Sequence, residues 1–156
     1  MSGLRHAESF RDLLVYGKAR DLQREVFLIS RTFPRDEKFS LTDQIRRSSR
    51  SIGANIADGA NIAEAWAKRR YEAHFVSKLA DADSEQYETL HWIETAVECG
   101  YLAPQKATAL TDKCRKVGRL LGGMLEKADL FCGAPSKALR ESAIEYYVHP
   151  TDEADT

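Results

Sequence analysis

What the chain lacks narrows the field first. It has only three cysteines, Cys99, Cys114 and Cys132, with no CxxC pair and no Cys/His cluster. That argues against a disulfide framework or a structural zinc and for packed free thiols in a reducing compartment. No apolar run approaches a membrane span, and Met1–Glu8 carries no apolar signal core, so the expectation is a cytoplasmic protein. Net charge is −1, so no global field draws the chain to nucleic acid or membrane, and any such preference must come from local segregation of charge. There is no Gly-rich phosphate loop, no nucleophile elbow and no HExxH. With four Pro and nine Gly in 156 residues, and no alternating β-branched run between turn residues, no strand is expected.

What is present is helical. Residues 9–32 carry Val15, Ala19, Leu22, Val26, Ile29 and Phe33 at the alternating 4-3 spacing of a bundle seam, with Phe10, Leu14 and Phe27 widening the apolar face. Phe33-Pro34 ends this helix, because a residue before proline avoids the α region. Ser40 is the expected N-cap of a second helix with Asp43 three residues on, and Gly59-Ala60-Asn61 its expected C-cap. A third helix is expected from Ala63 to Cys99 on Phe75, Leu79, Ala82, Gln86, Leu90, Ile93 and Val97, with Trp66, Tyr71, Val76, Tyr87 and Trp92 beside the seam. It would span roughly 50 Å at 1.5 Å per residue. Gly100 closes it and Pro104 opens a fourth helix, in which Leu110, Cys114, Val117, Leu121, Met124, Ala128 and Phe131 form a regular heptad run with Gly122-Gly123 as a soft point.

These readings predict an all-α fold, an antiparallel up-down-up-down four-helix bundle over residues 9–132. Residues 1–8 are an N-terminal extension. Residues 133–156 form an acidic tail, expected to be mobile, in which Lys137–Val148 has the pattern of a short amphipathic helix.

Three groups could carry function. Glu88-Thr89-Leu90-His91 has the Glu-x-x-His spacing of di-iron bundles, but those use it twice and here it occurs once, so His91 reads better as a surface or interface histidine, with no metal or cofactor expected. Ser48, Ser49 and Ser51 read as small residues at a helix contact. The basic residues are more suggestive. In a hairpin turning near residue 60, Arg46, Arg47 and Arg50 would lie near Lys68, Arg69 and Arg70 and form one surface, opposite in character to the acidic Asp81, Asp83, Glu85, Glu88, Glu94 and Glu98. Two readings stand: phosphate contact, which guanidinium forks suit, or salt bridging to those acids between helices or subunits. Asn55, on or near the buried stripe of the second helix, needs a polar partner there and is a candidate for setting register.

Leu41–Gly59 resembles the bacterial intervening-sequence proteins encoded within insertions in large-subunit ribosomal RNA genes. The same four-helix bundle family includes the accessory variability determinant (Avd) of diversity-generating retroelements. The resemblance rests on Leu41, Thr42, Gln44, Ile45, Arg46, Arg47, Ser51, Ile52, Asn55, Ile56, Ala57 and Gly59, with Phe10–Leu13, Lys18-Ala19, Phe33-Pro34, Glu37–Leu41 and Gly100–Leu102 extending it over about residues 9–131. Asp58 stands where the family has Glu. The resemblance implies a non-enzymatic, ring-like homopentamer. For Avd-like members it also implies binding of nucleic acid through basic surfaces and partnership with a reverse transcriptase; on this chain's own charge pattern that binding (RNA or DNA) would run through Arg46, Arg47, Arg50, Lys68, Arg69 and Arg70. The alternative is an interaction scaffold whose arginines serve subunit assembly. Because Arg46 and Arg47 belong to the family pattern and Arg50 does not, Arg50 and Lys68–Arg70 are the sharper test of nucleic-acid binding.

Overall fold

The computed structural model describes residues 10–66, 72–132 and Val148. Helix α1 (Leu14–Ser30) follows a single 3-10 turn at Phe10–Asp12. Helix α2 covers Asp43–Trp66, α3 Glu72–Glu98 and α4 Pro104–Glu126, and one short turn, α5 (Ala128–Phe131), follows. Each long helix packs on the next and α4 closes back on α1, with the most extensive contact between α2 and α3. This is the antiparallel up-down-up-down bundle its seams predict.

The seams are buried largely as spaced. Val15, Ala19, Leu22 and Val26 of α1, Leu41, Ile45, Ile52 and Ile56 of the second helical segment, and Leu110, Cys114, Val117, Leu121 and Met124 of α4 are at most 2% exposed. Burying one such branched side chain is worth about 1.5–3 kcal/mol. The end of α3 is also as expected: Gly100 takes φ +76°, the Gly100 N–H bonds the Val97 carbonyl and the Tyr101 N–H the Ala96 carbonyl, a Schellman close that Gly adopts without a Cβ penalty. Pro104 sits in the first turn of α4, where its missing N–H costs nothing.

Other details differ. The second helix does not stop at Gly59; it runs on to Trp66. Gly59 serves packing instead, since a Cβ there would lie 3.2 Å from the Lys78 Cβ on α3. Ser40 is not an N-cap: Lys38–Thr42 form a π turn feeding α2, and the Ser40 hydroxyl donates to the Glu37 carboxylate. The α3 seam also shifts in its second half. Thr89 and Ala96 are fully buried, whereas Leu90 and Val97 are only partly covered; at Thr89 the small Ser48 of α2 lets the hydroxyl approach. Tyr87 and Phe27, read as additions to the core, are 65% and 38% exposed. α4 breaks at Lys127, just past its paired glycines, where the Lys127 N–H reaches both the Gly123 and Met124 carbonyls.

Cross-helix polar contacts fix the register. Thr89 donates to Ser48 at 2.9 Å and Ser48 onward to the Ile45 carbonyl at 3.2 Å. Lys113 of α4 reaches Asp21 and Glu25 of α1 at 2.9 and 2.7 Å. Asn55 plays no such part; its amide donates to the Ser51 carbonyl of its own helix. From the tail, Val148 is buried and forms one antiparallel backbone bridge with Leu13. Residues 133–147 and 149–156, which include most of the segment read as an amphipathic helix, lie outside the described residues.

Candidate nucleic-acid interface

The seam of α2 dictates where its arginines go. With Leu41, Ile45, Ser48, Ser49, Ile52 and Ile56 turned inward, residues 43, 46, 47, 50, 51 and 54 fall on the opposite face at helical spacing. They line an open groove of about 520 Å³: Asp43, Arg46, Arg47, Arg50, Ser51 and Ala54.

The arginines divide between the neighbouring helices. Arg46, one position past Ile45, leans on α1. Its Nε donates to the Ser30 hydroxyl at 2.7 Å and its guanidinium lies 4.9 Å from the centre of the Phe27 ring. Arg50, one turn on, places its guanidinium 5.9 Å from the same ring, and Arg31 comes within 6.0 Å of it from α1. Three guanidiniums thus converge on one exposed aromatic ring. Among the described residues, none of the three has a carboxylate within ion-pair distance. The ring's negative face attracts each cation, but it does not neutralise them.

Arg47 turns the other way, onto α3. Its Nη2 lies 3.0 Å from Glu88 Oε1, and the same oxygen accepts the Trp92 indole N–H at 3.2 Å. Glu88 is therefore committed to Arg47 and Trp92, while His91 is exposed with its ring edge-on to Trp92 at 4.7 Å. One turn back on α3, Glu85 has a buried Oε2 with no donor. The neighbour that can share a hydrogen bond with it is the Glu88 carboxyl, and two carboxyls can share one only by holding a proton. Burial first, then the Glu88 hydrogen bond and charge, raise the Glu85 carboxyl above its usual range, against an opposing pull from Arg47. The acidic face of α3 is thus partly salt-bridged to α2, as the second reading of the arginines expected.

The hairpin geometry moves the turn away from residue 60, since α2 runs on to Trp66. Arg47 faces Glu88, Ser48 faces Thr89 and Gly59 faces Lys78. These pairs centre the α2–α3 hairpin near residue ~68 rather than near residue 60. Trp66, still helical, lies about 24 Å along the axis from Arg50 at 1.5 Å per residue. Across from the arginines, therefore, stands the Glu85–Glu88 segment. Lys68, Arg69 and Arg70 themselves lie outside the described residues.

Phe27, Ser30 and Arg31 were not legible as site residues. The available signal was one of phase: Phe27 follows Val26, and a residue one step past a seam position turns about 100° away from the core.

A family model described as "23S rRNA-intervening sequence protein" matches residues 11–123. Among solved structures the chain is similar to a crystal structure from Bacteroides thetaiotaomicron VPI-5482, a protein with unknown function from the S23 ribosomal protein family. Identity is 26% over 72% of this chain and 99% of that one, with a TM-score of 0.61. No match is found among curated proteins. No described helix is long and apolar enough to cross a membrane. The matched segment takes in the whole α2 arginine face, α1 to α3 and α4 as far as Gly123, and the chain belongs to the 23S rRNA-intervening sequence protein family.

Proposed function

We propose that the protein is a non-enzymatic nucleic-acid-binding bundle that contacts phosphate through the α2 arginines, acting in the cytoplasm as a homopentamer. The observation that carries this reading is the convergence of Arg31, Arg46 and Arg50 on Phe27 without a carboxylate partner among the described residues. Like charges held that close repel, and an incoming phosphate relieves the repulsion while accepting forked hydrogen bonds. The family's name refers to intervening sequences of 23S rRNA, which makes RNA the first ligand to try. Partnership with a reverse transcriptase is the further role an Avd-like member would have. Asp43 on the groove wall opposes an anion at that end and directs the contact toward Arg46 and Arg50.

The test is fluorescence anisotropy of labelled RNA and DNA across a salt series. Affinity should fall steeply with salt, and each arginine removed should reduce the slope of log K against log salt by about 0.7–0.9. Arg50→Gln is the cleanest substitution, since its contact among the described groups is the Phe27 ring; Arg46→Gln also gives up the Ser30 hydrogen bond. No binding at low salt, or a slope untouched by both substitutions, refutes the reading.

A second reading is favoured by a different observation. Phe39, Leu28 and Phe27 are 73%, 52% and 38% exposed, which suits a scaffold with apolar contacts to another subunit or protein. On that reading the arginines serve assembly. Light scattering would then show Arg46 or Arg47 substitutions yielding monomers, with no nucleic acid bound by the wild type.

A further inference from the structure

We infer that Phe27 is a base-stacking platform, and that the ligand of this face is therefore a single strand rather than a duplex. The inference rests on the nucleic-acid reading above and goes beyond it in naming the form of the ligand.

A phosphate-only site needs cations and no aromatic ring. Here the cations are built around one. Phe27 follows the seam residue Val26, which is fully buried, yet keeps 38% of its own surface open. Exposing a phenyl ring forfeits hydrophobic stabilisation that a polar residue at this solvent-facing position would not lose. Arg46 is pinned beside the ring by its 2.7 Å bond to Ser30, and Ser30 is itself 2% exposed, so this guanidinium is set before any ligand arrives. Arg50 and Arg31 complete the set within 6.0 Å of the ring centre. A part-exposed aromatic ring with arginines stacked over it is the chemistry that holds single-stranded nucleic acid, since a base can displace a guanidinium from the ring or stack on the guanidinium itself. The neighbouring phosphates take the forks.

A duplex can use the ring only by unstacking a base step, at an energetic cost that a single strand does not bear. Its bases are stacked on one another and it offers only phosphates and groove edges. The groove along Asp43, Arg46, Arg47, Arg50, Ser51 and Ala54 continues from this point and gives the backbone of a strand a basic track.

The experiment compares one fluorescein-labelled RNA strand of about 20 nucleotides with the same strand annealed to its complement, at one salt concentration. The protein is wild type, Phe27→Ala, Phe27→Trp or Arg50→Gln, each checked for folding by circular dichroism. The single strand should bind more tightly than the duplex. Phe27→Ala should weaken the single strand by roughly 5- to 150-fold, the range of one aromatic–base stack, and leave the duplex nearly unchanged. Phe27→Trp should restore binding and add an indole fluorescence that the single strand quenches.

Two outcomes overturn the inference while leaving the phosphate reading intact. One is equal or tighter binding of the duplex. The other is a Phe27→Ala loss of the same size on both ligands, which would make the ring only a support for the guanidiniums. Failure of wild type to bind either ligand refutes the phosphate reading itself, and leaves this face to a protein partner.

Discussion

Two glycines one turn apart on α4 should respond to the same substitution with opposite signs. Removing a glycine from a helix interior in favour of alanine gains about 0.5–1 kcal/mol of propensity. At Gly122 a Cβ would meet nothing within 4 Å, so Gly122→Ala should stabilise by about that amount, and a domain of this size gains roughly 2–4 °C in Tm per kcal/mol. At Gly118 the Cβ would lie 3.0 Å from both the Cδ and the Oε1 of Gln86, inside the ~3.5–4.0 Å of an ordinary contact. Gln86 has nowhere easy to retreat. It is 2% exposed, its amide lies 3.7 Å from Cys114 Sγ, and that sulfur lies 3.3 Å from the Gln86 carbonyl. Overpacking costs about 1–3 kcal/mol and a displaced buried amide about 1–3 more if left unpaired. Set against the propensity gain, Gly118→Ala should destabilise by roughly 1–3 kcal/mol. Urea unfolding followed by circular dichroism, at one protein concentration because assembly shifts apparent stability, measures both. The double variant Gly118→Ala/Gln86→Ala should show a coupling of at least ~0.5 kcal/mol, as expected for residues in contact. Equal effects at the two glycines, or additive behaviour of the pair, would refute the contact as drawn.

Two further outcomes follow from the titrating groups. The folded-state carboxyl of Glu85 is raised above its usual value near 4.5. The native state therefore holds this proton more tightly than the unfolded chain, and stability contributed by this group rises as pH falls through the folded-state pKa. Glu85→Gln should accordingly raise Tm at pH 7, with an advantage that shrinks toward pH 4; a Glu85→Gln variant less stable than wild type at pH 7 would contradict it. Of the three thiols, Cys99 is exposed while Cys114 and Cys132 are buried, and burial pushes both of the latter up to about 11. An aromatic disulfide reagent should label one thiol quickly in the native protein and all three in denaturant, and Cys99→Ser should abolish the fast phase.

The sequence alone determined the fold class, the number of long helices and most of the core. Each helix buries a stripe set by its own 3/4 spacing, and that spacing is a local property: Val15, Ala19, Leu22 and Val26 needed no knowledge of their partners. The Gly100 and Pro104 signals worked for the same reason, since a left-handed close and a first-turn proline are backbone chemistry within a few residues. Leu41–Gly59 was also sufficient to suggest the family.

What only the tertiary structure decided depends on distances between helices. Whether Gly59 stops a helix or admits a neighbour turns on Lys78 lying against it. Thr89 replaces Leu90 in the seam because Ser48 waits across the interface. The running-on of α2 to Trp66 moved the turn away from residue 60, and the packing of α2 on α3 chose Glu88 as the partner of Arg47. Phe27 changed from core to surface because its phase fell just outside the stripe, and only the packing of α1 on α2 brought Arg46 and Arg50 to its ring. Spacing fixes which side of a helix a residue occupies. Which other helix that side meets, and at what register, is fixed by the packing of the whole bundle.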